Sequence, residues 1–171
     1  MFVGRFQPQK NLFALLEQFQ IFSKDKNDVK LIIVGDGPLK NKLIQFSNEL
    51  KLWNKTEWKP WLNKKELLLQ YQEADCFLNP SLYEGMPNVV LEAMACGLPV
   101  IASNIMGNNE LVKEGHNGYL FSLNDNAKFQ EALKNIYEKK ENRKQMGINA
   151  RDYVMKNYSW NRVAEDYIHL F

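Results

Sequence analysis

Residues Tyr83 to Ser103 read YEGMPNVVLEAMACGLPVIAS. A turn built on Gly85 and Pro87 leads into a stretch expected to be helical from about Pro87 to Ala95, and PVIAS (99–103) follows as an apolar strand. In front stands another apolar run, DCFLNPS (75–81), which stops at Pro80. Strand, helix and strand in this order make a crossover unit, the connection that parallel strands require. Neither strand alternates polar with apolar residues, as expected of a sheet covered on both faces.

The same alternation runs outward in both directions. FVG (2–4) reads as a strand barely begun, and NLFALLEQFQIF (11–22) has the three-to-four spacing of a helix. KLIIVG (30–35) is a buried strand ending in glycine, followed by a helix from Pro38 to about Lys51. TEWKPW (56–61) is a short strand running into a loop, and KKELLLQYQEA (64–74) is a helix. Beyond Ser103 come a Gly-Asn loop (107–109), a helical turn and the strand NGYLF (117–121). Residues 125–171 are helical in two or three pieces, with Ser159 as N-cap of the last. The fold class is α/β: a doubly wound, mostly parallel Rossmann-like sheet of about six strands. Ligands of such sheets bind beyond the carboxyl ends of the strands.

At 171 residues the chain suits one domain with a core of its own. Its 45% hydrophobic and 25% charged residues are ordinary for a globular protein, and a net charge of +2 gives no argument for nucleic acid. No apolar run reaches the roughly 18 residues of a membrane span. MFVGRFQPQK lacks the features of a signal peptide, so a cytoplasmic location is the default. Cys76 and Cys96 have no partner spacing and read as reduced core residues.

Chemistry is sought after each strand. Past DCFLNPS, the amides of the first turn near Asn88 and Val89 form an anion site strengthened by the helix dipole, with a phosphate as natural guest. Glu92 lies one turn further in, and Glu84 lies on the turn itself. Alone, two glutamates eight apart fit a cap and a surface carboxylate equally well. After the first strand, Arg5 offers a forked guanidinium and Lys10 a mobile ammonium, a pair suited to a diphosphate or, seen alone, to a solvated surface. VGDGPLKNKL (34–43) is not a dinucleotide fingerprint. Lys40 occupies the place of its third small residue, and Pro38 follows the second glycine.

Together GRFQPQKN, VGDGPLKNKL, ADCFLNPSLYEGMPNVVLEAMACGLPVIAS, EGHNGYLF and SWNRVAEDY resemble the carboxyl-terminal domain of family 4 retaining glycosyltransferases of the GT-B type. The order and spacing match along nearly the whole chain. The resemblance implies the donor half of a GT-B fold, holding a nucleoside diphosphate sugar as substrate, with no cofactor. It implies a candidate catalytic set of Arg5 and Lys10 on the diphosphate and Glu84 on the sugar hydroxyls, Glu84 serving as a sugar-binding group rather than a nucleophile. Glu92 would hold the ribose, and the backbone of Gly85, Met86, Pro87, Asn88 and Val89 would meet the phosphates. The base would lie near Gly35, Gly37 and Pro38 and the backbone of Trp58 and Lys59.

The family pairs this domain with an amino-terminal one that carries the acceptor, a glycan or glycolipid. The chain begins inside the first donor-domain strand, so that half is expected to be missing, and the full-length protein could sit at the inner membrane surface. SNIMGNNELV (103–112) keeps only Gly107 and Glu110 of the family's usual loop.

His116 reads as a turn residue and His169 as structural, and neither has metal-ligand spacing. No Asp-x-Asp stands at a strand end, so no metal site is expected, and cationic side chains and helix amides would take the place of a cation. Trp53, Trp58 and Trp61 surround one strand and read as core or cleft-edge packing. A receiver-type signalling domain shares the architecture but needs an acidic pair where Gly4-Arg5 stands. A non-catalytic nucleotide-sugar-binding module remains an alternative.

Overall fold

A computed structural model describes residues 1–159. Its elements in chain order are β1 (Phe2–Val3), α1 (Leu12–Ser23), β2 (Leu31–Val34), α2 (Lys40–Glu49), β3 (Thr56–Lys59), α3 (Lys64–Glu73) and β4 (Phe77–Asn79). They continue as α4 (Asn88–Ala95), β5 (Val100–Ser103), α5 (Asn108–Leu111), β6 (Gly118–Phe121), α6 (Asn126–Glu138) and α7 (Lys140–Asn157). The helix capped by Ser159 and the residue His169 fall outside the described residues.

The strands form two parallel three-stranded sheets, β1-β2-β3 and β4-β5-β6. The sheets meet edge to edge. The Met1 nitrogen donates to the Cys76 carbonyl at 2.6 Å, and the Leu78 amide donates to the Met1 carbonyl at 2.8 Å. These two bonds make one parallel pairing, so the strands run in the order β3-β2-β1-β4-β5-β6. That is the doubly wound order, in which the chain reverses direction between β1 and β4.

The reversal sends the crossover helices before it and those after it to opposite faces, as right-handed crossovers require. One face carries α1, α2 and α6 over Phe2, Leu31, Ile33, Leu78 and Ile101. The other carries α4 and α7, with Tyr71 of α3, over Val3, Val34, Phe77, Val100 and Ala102. Neighbouring residues of β1 and β4 thus enter different cores, Phe2 against Val3 and Leu78 against Phe77. Burial on both sides explains why their sequence shows apolar runs without alternation.

Candidate functional site

The carboxyl ends of β1 and β4 lie side by side at the reversal, so the loops that follow them are stitched together. After β1 the chain makes one 3₁₀ turn, Pro8–Lys10, ended by Asn11 with φ of 52°. The Gln9 carbonyl accepts from the Leu82 amide at 2.8 Å, and Gln9 Nε2 donates to the Tyr83 carbonyl at 2.8 Å. The next residue on each side completes the seam: Lys10 Nζ donates to Glu84 Oε1 at 2.6 Å. Both side chains are largely withdrawn from solvent, 16% and 7% exposed. Arg5 is exposed, and its guanidinium has no partner among the described residues.

The loop after β2 locks onto the loop after β1. The Phe6 amide donates to the Asp36 carbonyl at 2.8 Å, and the Leu39 amide returns to the Phe6 carbonyl at 3.2 Å. Gly35 is required here, because a Cβ would stand 2.0 Å from the Gly4 carbonyl oxygen. Asp36 accepts from the Gly37 amide at 2.7 Å and from Lys40 Nζ at 2.8 Å. The Lys40 bond, then the Gly37 bond, hold its carboxyl below the usual range. Trp58 is half-buried, edge-on to Phe6 with ring centroids 5.7 Å apart. The Lys59 carbonyl is occupied by the Gly35 amide at 3.0 Å. Because alternate residues of a strand direct their peptide groups to opposite sides, Trp58 on the edge strand β3 turns its own away from the sheet.

Helix α4 starts one residue later than the sequence suggests. Pro87 is the residue before the helix, with φ −80° and ψ 82°, so its ring prepares the turn but lies outside it. Proline has no N–H and is therefore excluded as a phosphate donor. The Asn88 amide is also withdrawn, since it donates to the Met86 carbonyl at 3.0 Å. The amides of Gly85, Met86 and Val89 have no acceptor among the described residues. The expected cradle is thus narrower than the stretch Gly85–Val89, and these three amides compose it.

A buried polar cluster holds that turn from behind. Asn79, the last residue of β4, donates to Asn108 Oδ1 at 2.8 Å and accepts from Ser81 Oγ at 2.9 Å. Ser103 Oγ reaches the Ser81 carbonyl at 2.5 Å, and Asn108 Nδ2 reaches the Ser103 carbonyl at 3.0 Å. All four residues are buried, and no buried side-chain nitrogen or oxygen among the described residues lacks a partner. The cluster seats Gly107, whose φ of 84° favours glycine and whose Cβ would lie 2.2 Å from the Gly85 carbonyl oxygen. Thus Gly107 of SNIMGNNELV supports the Gly85 turn.

Glu92 projects from α4 and is exposed, and its Oε2 accepts from the Tyr71 hydroxyl at 3.1 Å. Burial, then the Glu92 charge, raise the Tyr71 pKa, so the hydroxyl stays a donor. Lys10, Glu84 and the turn into α4 therefore meet at the reversal, Arg5 lies exposed on the loop that carries Lys10, Glu92 stands farther along α4, and Gly35–Pro38 interlocks with the first loop. Sequence reasoning missed Gln9, Tyr71 and the Asn79–Ser81–Ser103–Asn108 cluster. Asn79 carried a usable signal: an amide inside an apolar strand must find a partner when buried.

The remaining candidates behave as folding groups. His116 lies in the turn before β6, where its carbonyl accepts from Asn149 Nδ2 at 2.8 Å. Cys76 is buried, which pushes its thiol up to about 12. Cys96 is half-buried at the end of α4 rather than in the core, because the helix stops there and turns through Gly97. Both are free thiols. No described helix is long and apolar enough to cross a membrane.

The sequence profile of the family "Glycosyl transferases group 1" matches residues 1–153. The chain is 40% identical over 141 residues to UDP-Gal:alpha-D-GlcNAc-diphosphoundecaprenol alpha-1,3-galactosyltransferase of Escherichia coli, covering 81% of this chain and 36% of that protein. Spore coat protein SA of Bacillus subtilis is 29% identical over the whole chain, which spans 48% of it. Among solved structures, sucrose-phosphate synthase from Thermosynechococcus elongatus superposes with a TM-score of 0.88 at 25% identity, over 99% of this chain and 44% of the enzyme. A TarM mutant of S. aureus in complex with fondaparinux, alpha-GlcNAc-glycerol and UDP superposes with a TM-score of 0.91 at 23% identity, over 99% of this chain and 34% of TarM. The chain thus spans less than half the length of these proteins.

Proposed function

The chain belongs to the group 1 glycosyl transferases, and on that premise we propose that it is the donor-binding half of a retaining enzyme. It moves a hexosyl group from a uridine diphosphate sugar to an acceptor hydroxyl. The observation that carries this reading is the Lys10–Glu84 pair at the strand reversal, with the exposed Arg5 on the loop that carries Lys10 and the unpartnered amides of Gly85, Met86 and Val89 just after Glu84. Two cations, three amides and a helix dipole suit the two charges of a diphosphate.

Each group has a distinct task. Arg5 grips the diphosphate with its open guanidinium. Lys10 keeps two ammonium protons beyond the one given to Glu84, and it bridges that carboxylate to a phosphate oxygen. Glu84 accepts from sugar hydroxyls, and Glu92 accepts from the ribose. The base lies along Gly35–Pro38 with the outward peptide of Trp58 at its edge. When the glycosyl bond breaks, negative charge builds on the departing diphosphate, and Arg5, Lys10 and the amides at the helix start stabilise it. No divalent cation is assigned a part in this.

Uridine as the base is supported by the Escherichia coli relative, whose name specifies UDP-galactose as donor. A hydroxyl of a glycan or lipid-linked glycan is the acceptor, held by a second domain. Positioning of two reactants accounts for about 7–11 kcal/mol of a barrier, so the 171-residue chain alone binds donor and transfers nothing. Thermal denaturation with UDP, UDP-galactose, UDP-glucose and GDP-mannose, each with and without EDTA, tests the reading. Stabilisation by the uridine ligands that survives EDTA is expected. Stabilisation by none of them, or only with a divalent cation, contradicts it.

A further inference from the structure

We propose that Tyr71 is a positioning residue of the donor site, holding the Glu92 carboxylate so that its second oxygen faces the ribose hydroxyls. The proposal rests on the assignment of Glu92 to the ribose.

Tyr71 comes from α3, the third crossover, and Glu92 from α4, so the bond ties two neighbouring elements across the edge of one core. Tyr71 is 3% exposed, and its ring is packed at 6.0 Å from Phe77. Its hydroxyl has one acceptor among the described residues, Glu92 Oε2 at 3.1 Å. A buried phenol that lost this acceptor would carry an unsatisfied donor, so the bond is held from the tyrosine side. Glu92 is exposed and has no other partner among the described residues. Without Tyr71 its carboxylate would sample several rotamers, and a ligand would have to select one.

An ionised carboxylate accepts at two oxygens with about four lone-pair directions. Tyr71 engages Oε2 and leaves Oε1 for a diol. Fixing the group before the ligand arrives removes rotamer entropy from the binding step. Tyr71 never touches the ligand, because its hydroxyl acts through Glu92.

The test is calorimetric titration of the 171-residue chain with uridine diphosphate and with its 2′,3′-dideoxy analogue, using wild type and Tyr71→Phe. Phenylalanine keeps the ring packing and removes only the hydroxyl. Wild type should prefer uridine diphosphate. Tyr71→Phe should weaken that ligand by about 3- to 10-fold, the net worth of one hydrogen bond, while the dideoxy affinity stays unchanged. Equal losses for both ligands would mean a structural role and overturn the proposal, as would no loss for either. Equal wild-type affinity for the two ligands overturns the Glu92–ribose assignment and this inference with it. Full discrimination in both proteins overturns the inference alone.

Discussion

Lys10 Nζ lies 2.6 Å from Glu84 Oε1, although 74 positions separate the two residues. A cation expected on the diphosphate and a carboxylate expected on the sugar thus neutralise each other. In the proposed site neither is free for its ligand without the other responding, so donor affinity is expected to depend on the pair rather than on two independent contacts.

The first expected outcome follows from that pairing. Denaturant titration of Lys10→Met, Glu84→Gln and the double variant should show a coupling of about 0.5–3 kcal/mol, the range for residues in direct contact. Each single change leaves one partner partly buried without its counter-charge, and the double change removes both. Strict additivity would show that the seam does not depend on this pair.

Arg5 should behave in the opposite way. It is exposed and its side chain has no hydrogen bond or ion pair among the described residues, so Arg5→Ala should shift stability by no more than about 0.5 kcal/mol. Its affinity for uridine diphosphate should fall by about 10- to 100-fold, the worth of a charge-assisted hydrogen bond, and uridine monophosphate should suffer less. Unchanged diphosphate affinity in a calorimetric titration would remove Arg5 from the site.

Gly107→Ala combines a φ of 84° with a Cβ 2.2 Å from the Gly85 carbonyl oxygen. The left-handed backbone alone costs a non-glycine residue about 1–2 kcal/mol, and the contact meets main chain that cannot rotate away. Urea denaturation should show a loss of at least that size, and uridine diphosphate binding should weaken because the Gly85 amide is displaced. Wild-type stability would contradict the role given to this loop.

Asp36 gives a pH-dependent check. Its folded-state pKa lies below the ordinary value of 3.8, chiefly through Lys40 and then the Gly37 amide. A depressed carboxylate contributes stability that is present above the unfolded value and lost as pH falls through the folded one. The stability gap between wild type and Asp36→Asn should therefore be constant from neutral pH down to about 4 and shrink below it. A gap that widens on acidification would reverse the sign and contradict the assignment.

Most of the sheet was legible because its strands are buried on both faces and leave unbroken apolar runs such as LIIV and VIAS. The helix of Pro87–Ala95 was legible to within one residue; only the φ and ψ of Pro87 reveal that it stands outside. The abutment of β1 on β4 was not legible in its pairings, since two backbone bonds at Met1 leave no mark on side chains. Neither was the Lys10–Glu84 pair, which exists because the strand reversal brings two distant loops together. The Asn79 cluster escaped for a similar reason: four polar residues separated by up to 29 positions acquire meaning only when β4 and β5 are adjacent. The residues proposed to meet the ligand carried a family pattern, whereas those that brace them did not.

Calorimetric titration of Glu84→Gln and Glu92→Gln with uridine diphosphate and with a uridine diphosphate hexose tests the division of labour at the site most directly. Hydrogen bonds to a charged group are worth about 1.5–3 kcal/mol, or about 10- to 100-fold in affinity. Glu84→Gln should lose that factor for the sugar conjugate while binding plain uridine diphosphate no more weakly than wild type, because Lys10 is released toward the phosphates. Glu92→Gln should lose it for both ligands. Equal losses of both ligands in the two variants would contradict the placement of one glutamate on the sugar and the other on the ribose.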